Sequence, residues 1–100
     1  MSSISVIRTD DKTIISIDGP FTAEMHAPFR NAYRDEMMNE NDDRHIVVDL
    51  AKTEYVDSSA MGMLLLMRAY TRNEVEIIHV RPEVLKILNI AHFERMFKIS

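Results

Sequence analysis

The chain has 100 residues, of which 46% are hydrophobic and 28% are charged. This length suits one domain with a modest core, and the composition argues against disorder. The formal net charge of −4 argues against a nucleic-acid binder, because neutralising phosphates requires a basic face. The sequence contains no cysteine, no visible signal peptide and no apolar run approaching the ~20 residues of a membrane span. We therefore expect a cytoplasmic protein without membrane insertion.

The first half of the chain predicts a hairpin, a helix and a buried strand. Segments 3–8 and 13–18 are joined by a short polar turn, a pattern typical of a β-hairpin. Apolar residues then keep helical spacing from Met25 to Met37, with Thr22 as a candidate cap. Because Pro28 is awkward inside a helix, we expect this helix to start late, near His26, or to be distorted. The polar stretch 39–44 resembles a loop, and the continuous apolar run in 45–50 predicts a strand buried on both faces.

The segment 55–72 carries the most information. Asp57, Ser58 and Ser59 precede an apolar run, which predicts a helix start with Ser58 at or next to the N-cap. With a rotation of about 100° per residue, the arc expected to face the core holds Ala60, Met63, Leu66, Met67 and Tyr70. The opposite side holds Ser58, Met61, Gly62, Leu65 and Ala69, bordered by Arg68 and Arg72.

Two interpretations of this second face are open. Met and Leu side chains beside a small glycine and basic residues suggest a surface that docks a partner. Alternatively, the helix is buried on both sides, and its arginines extend to the solvent.

The last part of the chain predicts further alternation of strands and helices. A strand is expected at 75–80, a helix with Pro82 in its first turn, and a closing edge strand at 97–99. The order β-β-α-β-α-β-α-β predicts a single α/β domain with a mixed sheet of four to five strands and three to four helices.

Catalytic chemistry has little support in the sequence. The histidines are scattered, so Ser58 and Ser59 lack an evident general base, and no G-x-S-x-G motif is present. Two glycines cannot form a phosphate-binding glycine-rich loop, and no histidine spacing suggests a metal site. We expect no enzyme, no cofactor and no metal. From the residues alone, Asp57 and Ser58 could simply complement and cap the helix end.

Several motifs resemble the STAS domains of bacterial anti-sigma factor antagonists. V-V-D-L ends at Leu50, six residues follow, and D-S-S-A-M-G begins at Asp57. The segment 80–99, V-R-P-E-V-L-K-I-L-N-I-A-H-F-E-R-M-F-K-I, is similar to the family's closing strand, helix and strand. The resemblance covers nearly the whole chain, so we interpret residues 1–100 as one STAS domain.

The resemblance implies partner switching in transcription regulation. The unphosphorylated form would bind an anti-sigma factor or related switch kinase, phosphorylation of Ser58 would release it, and a serine phosphatase would reverse the step. Ser59, nearer the predicted core arc, is expected to be the lesser phosphorylation site. The partner-binding residues would be Asp57, Ser58, Met61, Gly62, Leu65, Arg68 and Arg72. The alternative is a STAS scaffold subunit of a lipid-transport or signalling complex without phospho-switching.

Three features depart from the family pattern. Ala60 replaces a glycine that usually follows the second serine, which suggests a stiffer helix start. Thr22 stands where many members carry an acidic residue, so phosphorylation is expected to be weaker or differently controlled. The sequence stops at Ser100, where many relatives add a C-terminal helix, and we expect a smaller cover for the sheet.

Overall fold

In the computed structural model, which describes residues 2–34, 43–71 and 74–100, five strands form one mixed sheet. Their order in space, β1-β2-β3-β4-β5, is their order in the chain. The strands are β1 (Ser3–Arg8), β2 (Lys12–Asp18), β3 (His45–Lys52), β4 (Val75–Ile78) and β5 (Lys98–Ile99). β1 pairs antiparallel with β2, and every later pair is parallel. The predicted hairpin and the closing edge strand are therefore confirmed.

Three α-helices connect the parallel strands within these described ranges: α1 (His26–Ala32), α2 (Ser58–Tyr70) and α3 (Pro82–Ile90). A 3-10 turn, Ala23–Met25, precedes α1, and another, Phe93–Arg95, precedes β5. α1 begins at His26, as predicted, and Pro28 occupies its first turn. A proline is tolerated there, because the N–H groups of the first turn have no partner within the helix. The predicted α/β fold with a mixed sheet of four to five strands and three to four helices is confirmed, with five strands and three α-helices in the described residues.

All three helices pack on the same face of the sheet. The core joins Ile15 of β2, Val48 of β3 and Ile77 of β4 to Phe29 of α1 and Leu64 of α2. β3 is the central strand, and its residues 46–48 are all buried, as its continuous apolar run predicted. The expected loop at 39–44 lies largely outside the described residues.

The other face of the sheet carries a different set of side chains. The register places Ser5 opposite Ser16, Ser16 opposite Asp49, and Asp49 opposite Ile78. Side chains alternate between the two faces of a strand, so these residues point away from the helical layer. Among the described residues, no helix packs on this face, and it is accordingly more polar than the core face.

Candidate partner-docking site

The N-terminus of α2 is built around the Asp57 carboxylate. Asp57 is the N-cap residue, and Ser58 is the first residue of the helix, in line with the predicted start. Asp57 Oδ1 accepts a hydrogen bond from the Ala60 N–H at 2.8 Å, and Oδ2 accepts one from the Ala23 N–H at 3.3 Å. One side chain therefore caps α2 and also binds the backbone at the start of the turn that leads to α1.

The bond from the Ala23 N–H to Asp57 differs from the capping contact that the sequence predicted. Thr22 was a candidate cap for the helix that follows it, yet its side chain makes no capping hydrogen bond. That prediction is wrong. The N–H that needs an acceptor is that of Ala23, and Asp57 supplies it from a position 34 residues further along the chain.

Four hydrogen bonds hold residues 51–57, which precede Ser58, against neighbouring segments. The Phe21 N–H donates to the Tyr55 carbonyl at 2.9 Å, and the Asp57 N–H donates to the Phe21 carbonyl at 3.2 Å. Arg81 Nε donates to the Ala51 carbonyl at 3.0 Å. The buried Thr53 hydroxyl donates to the Ile17 carbonyl at 2.9 Å. These bonds fix the loop that presents Ser58.

Both serines at the start of α2 are exposed. For Ser58 this agrees with its assignment to the docking face. Ser59 lies nearer the buried side of α2 than Ser58 does, as the helical rotation predicted, but its side chain is exposed as well.

The buried side of α2 is rotated relative to the one expected. Its buried residues are Ala60, Met63, Leu64 and Met67. Leu66 and Tyr70 were predicted to lie in the core, but they are 44% and 54% exposed, whereas Leu64 is fully buried. Leu64 and Leu66 lie about 160° apart around the helix, so only one of them can face the sheet. Because both residues are leucines, hydrophobicity alone does not indicate which of them faces the sheet.

The predicted docking residues mostly share one exposed face. Ser58, Gly62 and Ala69 are exposed, and Leu65 is 39% exposed. This exposure excludes the alternative of a helix buried on both sides. A Cβ built on Gly62 would have no neighbouring atom within 4 Å, so nothing in the described part of the chain demands a glycine there.

Other predicted contact residues sit at the margin of this face. Met61 is half-buried and packs against the core. Arg68 is exposed, but its Nε donates to the Met96 carbonyl at 2.7 Å, which anchors the side chain to the C-terminal segment. Arg72 lies outside the described residues. Asp57 is half-buried, and both of its oxygens are engaged, so its first role is structural.

Sequence reasoning missed three exposed apolar residues on α2 or in the loop before it. Leu66 and Tyr70 widen the exposed face on the flank nearest α1, and Tyr55 stands 52% exposed shortly before Ser58. Tyr70 also lies close enough to the buried Tyr33, the residue that follows α1, to influence its ionisation. Burial raises the pKa of the Tyr33 phenol, Arg30 lowers it, and Tyr70 raises it further. Exposed aromatic and leucine side chains are the available signal for an interface.

The described residues hold no group of three or more His, Cys, Asp or Glu side chains that could bind a metal ion. In the same ranges, none of the helices has the length and hydropathy needed to cross a membrane. What the α2 face offers is a hydroxyl, small residues and apolar side chains, which suits protein binding.

Comparison with known proteins assigns the family. The model described as "Mlab, STAS domain" matches residues 4–98. The chain belongs to the STAS-domain family. A STAS-domain containing protein of Pseudomonas aeruginosa strain UCBPP-PA14 is 44% identical over 89 residues, covering 86% of this chain and 85% of that protein.

Solved structures share the STAS fold at low identity. A putative anti-sigma factor antagonist from Thermotoga maritima superposes with a TM-score of 0.82 at 19% identity, covering 96% of this chain and 84% of that one. The Bacillus cell fate determinant SpoIIAA in its phosphorylated form gives 0.74 at 12% identity, with coverages of 98% and 91%. A sulfate transporter family protein from Wolinella succinogenes gives 0.71 at 14% identity, with coverages of 95% and 80%. The fold prediction is confirmed, and this fold serves in both regulatory and transport-related proteins.

Proposed function

We propose that this STAS domain is a cytoplasmic bacterial anti-sigma factor antagonist controlled by phosphorylation of Ser58. Unphosphorylated, it binds an anti-sigma factor or related switch kinase through the exposed face of α2 and thereby frees a sigma factor. A serine kinase releases it, and a serine phosphatase restores binding. The observation that carries the proposal is an exposed serine at the first position of α2, at one end of the face that holds Gly62 and Leu65.

Electrostatics supplies a physical reason for the switch. A phosphate adds roughly −1.5 to −2 charges and three acceptor oxygens next to the Asp57 carboxylate. A docked partner would have to desolvate that charge beside apolar residues, which weakens binding strongly unless a cation compensates it. Within the domain, the helix N-terminus is favourable for an anion, so the fold is expected to survive.

A second candidate function keeps the docking face but not the switch. Ala60 after the serines and Thr22 in place of an acid depart from the pattern of phosphorylated relatives and favour a STAS scaffold subunit of a lipid-transport or signalling complex. In that case, Ser58 acts as an exposed helix-start residue, and its modification state has no bearing on binding.

The deciding experiment measures modification and affinity together. The protein is isolated from its native cells and its phosphate is located by tandem mass spectrometry. Affinity for the purified anti-sigma factor of the same cells is then measured for Ser58→Ala, Ser58→Asp and the control Asn89→Asp, which adds the same charge on an exposed part of α3.

We expect phosphate on Ser58, binding by Ser58→Ala and Asn89→Asp, and affinity at least about tenfold weaker for Ser58→Asp, the equivalent of about 1.4 kcal/mol. Phosphate on Ser59 alone, or equal affinities for Ser58→Ala and Ser58→Asp, would contradict the switch and favour the scaffold function.

A further inference from the structure

A polar cleft of about 270 Å³ lies on the sheet face opposite the helices. It is found where β2 and β3 end, and its polar lining consists of Ser3, Ser5, Ser16, Asp18, Asp49 and Lys52. The serines and Ala51 are small, so they leave a depression between the longer side chains.

Two cross-strand rows build this polar cleft. In the first row, Ser5, Ser16 and Asp49 are register partners across β1, β2 and β3. In the second row, Ser3 pairs with Asp18, and Asp18 pairs with Lys52. The register between β2 and β3 shifts between the rows, at a β-bulge or similar irregularity. Such irregularities are over-represented next to functional sites, where they redirect a side chain.

The polar groups of the cleft are largely unused by the protein. Within residues 2–34, 43–71 and 74–100, the three serine hydroxyls make no hydrogen bond, and neither Asp18 nor Lys52 has an ion-pair partner. Asp49 is 24% exposed, and its Oδ1 accepts from the Ala51 N–H at 2.9 Å. Its other oxygen, Oδ2, has no protein partner among these residues. The cleft therefore presents free acceptors and one free ammonium group.

A strained residue stands beside this cleft. His79 has a φ of 56°, a left-handed conformation that is unfavourable for a residue with a side chain. This conformation accompanies a 3.1 Å contact between His79 Nδ1 and Asp49 Oδ1. The contact orients the Asp49 carboxylate, which lines the cleft.

We propose that the polar cleft binds a free amino acid as its zwitterion. The ligand ammonium group pairs with the free oxygen of Asp49, its carboxylate pairs with Lys52, and the serine hydroxyls hydrogen-bond to both. The volume suits a molecule of this size, since it falls just below the roughly 300–1,000 Å³ of sites for drug-sized ligands. The cleft holds two carboxylates, Asp18 and Asp49, and one ammonium group, that of Lys52. This excess of negative charge disfavours a nucleotide or another phosphate ester. This inference does not rest on the proposed function, because α2 lies on the other face.

The test is an NMR titration of the full chain, labelled with 15N, with the common L-amino acids as probes. We expect at least one of them to shift the amide signals of Ser16, Asp49 and Lys52 saturably, while the Gly62 amide on α2 stays unchanged. The N-acetyl derivative and the methyl ester of the best binder each remove one ligand charge. Each should bind at least about tenfold more weakly, because a hydrogen bond to a charged group contributes about that much.

Two charge-neutralising variants complete the experiment. Lys52→Gln should weaken binding of the best amino acid by at least about tenfold. Lys98→Gln, which removes a charge from an exposed residue of β5 outside the cleft, should leave it unchanged. The proposal is overturned if no amino acid gives a saturable shift, or if the blocked derivatives or the Lys52→Gln variant bind as well as their unmodified counterparts.

Discussion

Asp57 joins two parts of the chain through a single carboxylate. One oxygen caps α2 at Ala60, and the other holds the Ala23 N–H. The residue was expected to complement the positive end of α2, and it does so with a direct hydrogen bond. Its additional role is to fix the position of the turn before α1 relative to the exposed serines.

Replacement of Asp57 by asparagine should separate these two roles. The amide oxygen of Asn can still accept from the Ala60 N–H, but its NH2 group cannot accept from the Ala23 N–H. We expect a loss of about 1 kcal/mol in the free energy of unfolding, measured by denaturant titration. Hydrogen exchange at Ala23 should accelerate far more than at Ala60. Thr22→Ala is the control, because Thr22 makes no capping bond, and an equal loss there would contradict this account.

Gly62 is the second residue whose role a single substitution can test. An alanine at this exposed helix position meets no atom within 4 Å and should raise stability by up to about 1 kcal/mol. If the glycine serves close approach of a partner, the same change should weaken partner binding, measured by isothermal titration calorimetry. Ala69→Gly, on the same face, should instead lower stability. A stabilised Gly62→Ala variant with undiminished affinity would show that the partner does not approach this point closely.

At the scale of the element, α2 separates a structural side from an exposed one. Leu64 is fully buried, and Leu66, two residues later, is 44% exposed. Leu64→Ala should therefore cost about 2–5 kcal/mol in the free energy of unfolding, the range for deleting a buried leucine side chain. Leu66→Ala should cost less than about 1 kcal/mol, because little apolar contact is lost. Thermal and denaturant unfolding of this matched pair check the assignment, and similar losses would refute it.

Features set by residues close together in the sequence were predictable, whereas features set by contacts between distant residues were not. The run Ile46–Val48 and the start of α1 at His26 follow from local patterns, and both were predictable. The orientation of α2 was not, because Leu64 and Leu66 are equally apolar and only packing against the sheet and α1 selects between them. The Asp57–Ala23 bond joins residues 34 apart, which no local spacing reveals. For the same reason, the exposed face of α2 was predicted in outline, but the exposure of Leu66 and Tyr70 was not.

For the whole molecule, buried Tyr33 predicts a loss of stability in alkali. Its pKa in the folded protein is raised, chiefly by burial, so ionisation is less favourable in the folded than in the unfolded state. This contribution is fully present below about pH 10, the value for an unfolded tyrosine, and is lost as pH rises through the folded pKa. Unfolding measured across that window should show less loss for Tyr33→Phe than for the unmodified protein.

A matched tyrosine variant tests this assignment. Tyr55 is 52% exposed, so Tyr55→Phe should leave the alkaline stability curve as steep as in the unmodified protein. If Tyr33→Phe and Tyr55→Phe change the curve equally, burial of Tyr33 is not the cause of the loss.

The coincidence of strand order and chain order has a consequence for biosynthesis. Each strand hydrogen-bonds to the strand that precedes it in the chain, so no strand must wait for a later one to open a place between two earlier ones. Domains generally form from the N-terminus while the chain is being synthesised. On the ribosome, the β1–β2 hairpin can therefore act as a template to which β3, β4 and β5 are added as each leaves the exit tunnel. The sheet grows in one direction, and its newest strand is always its edge.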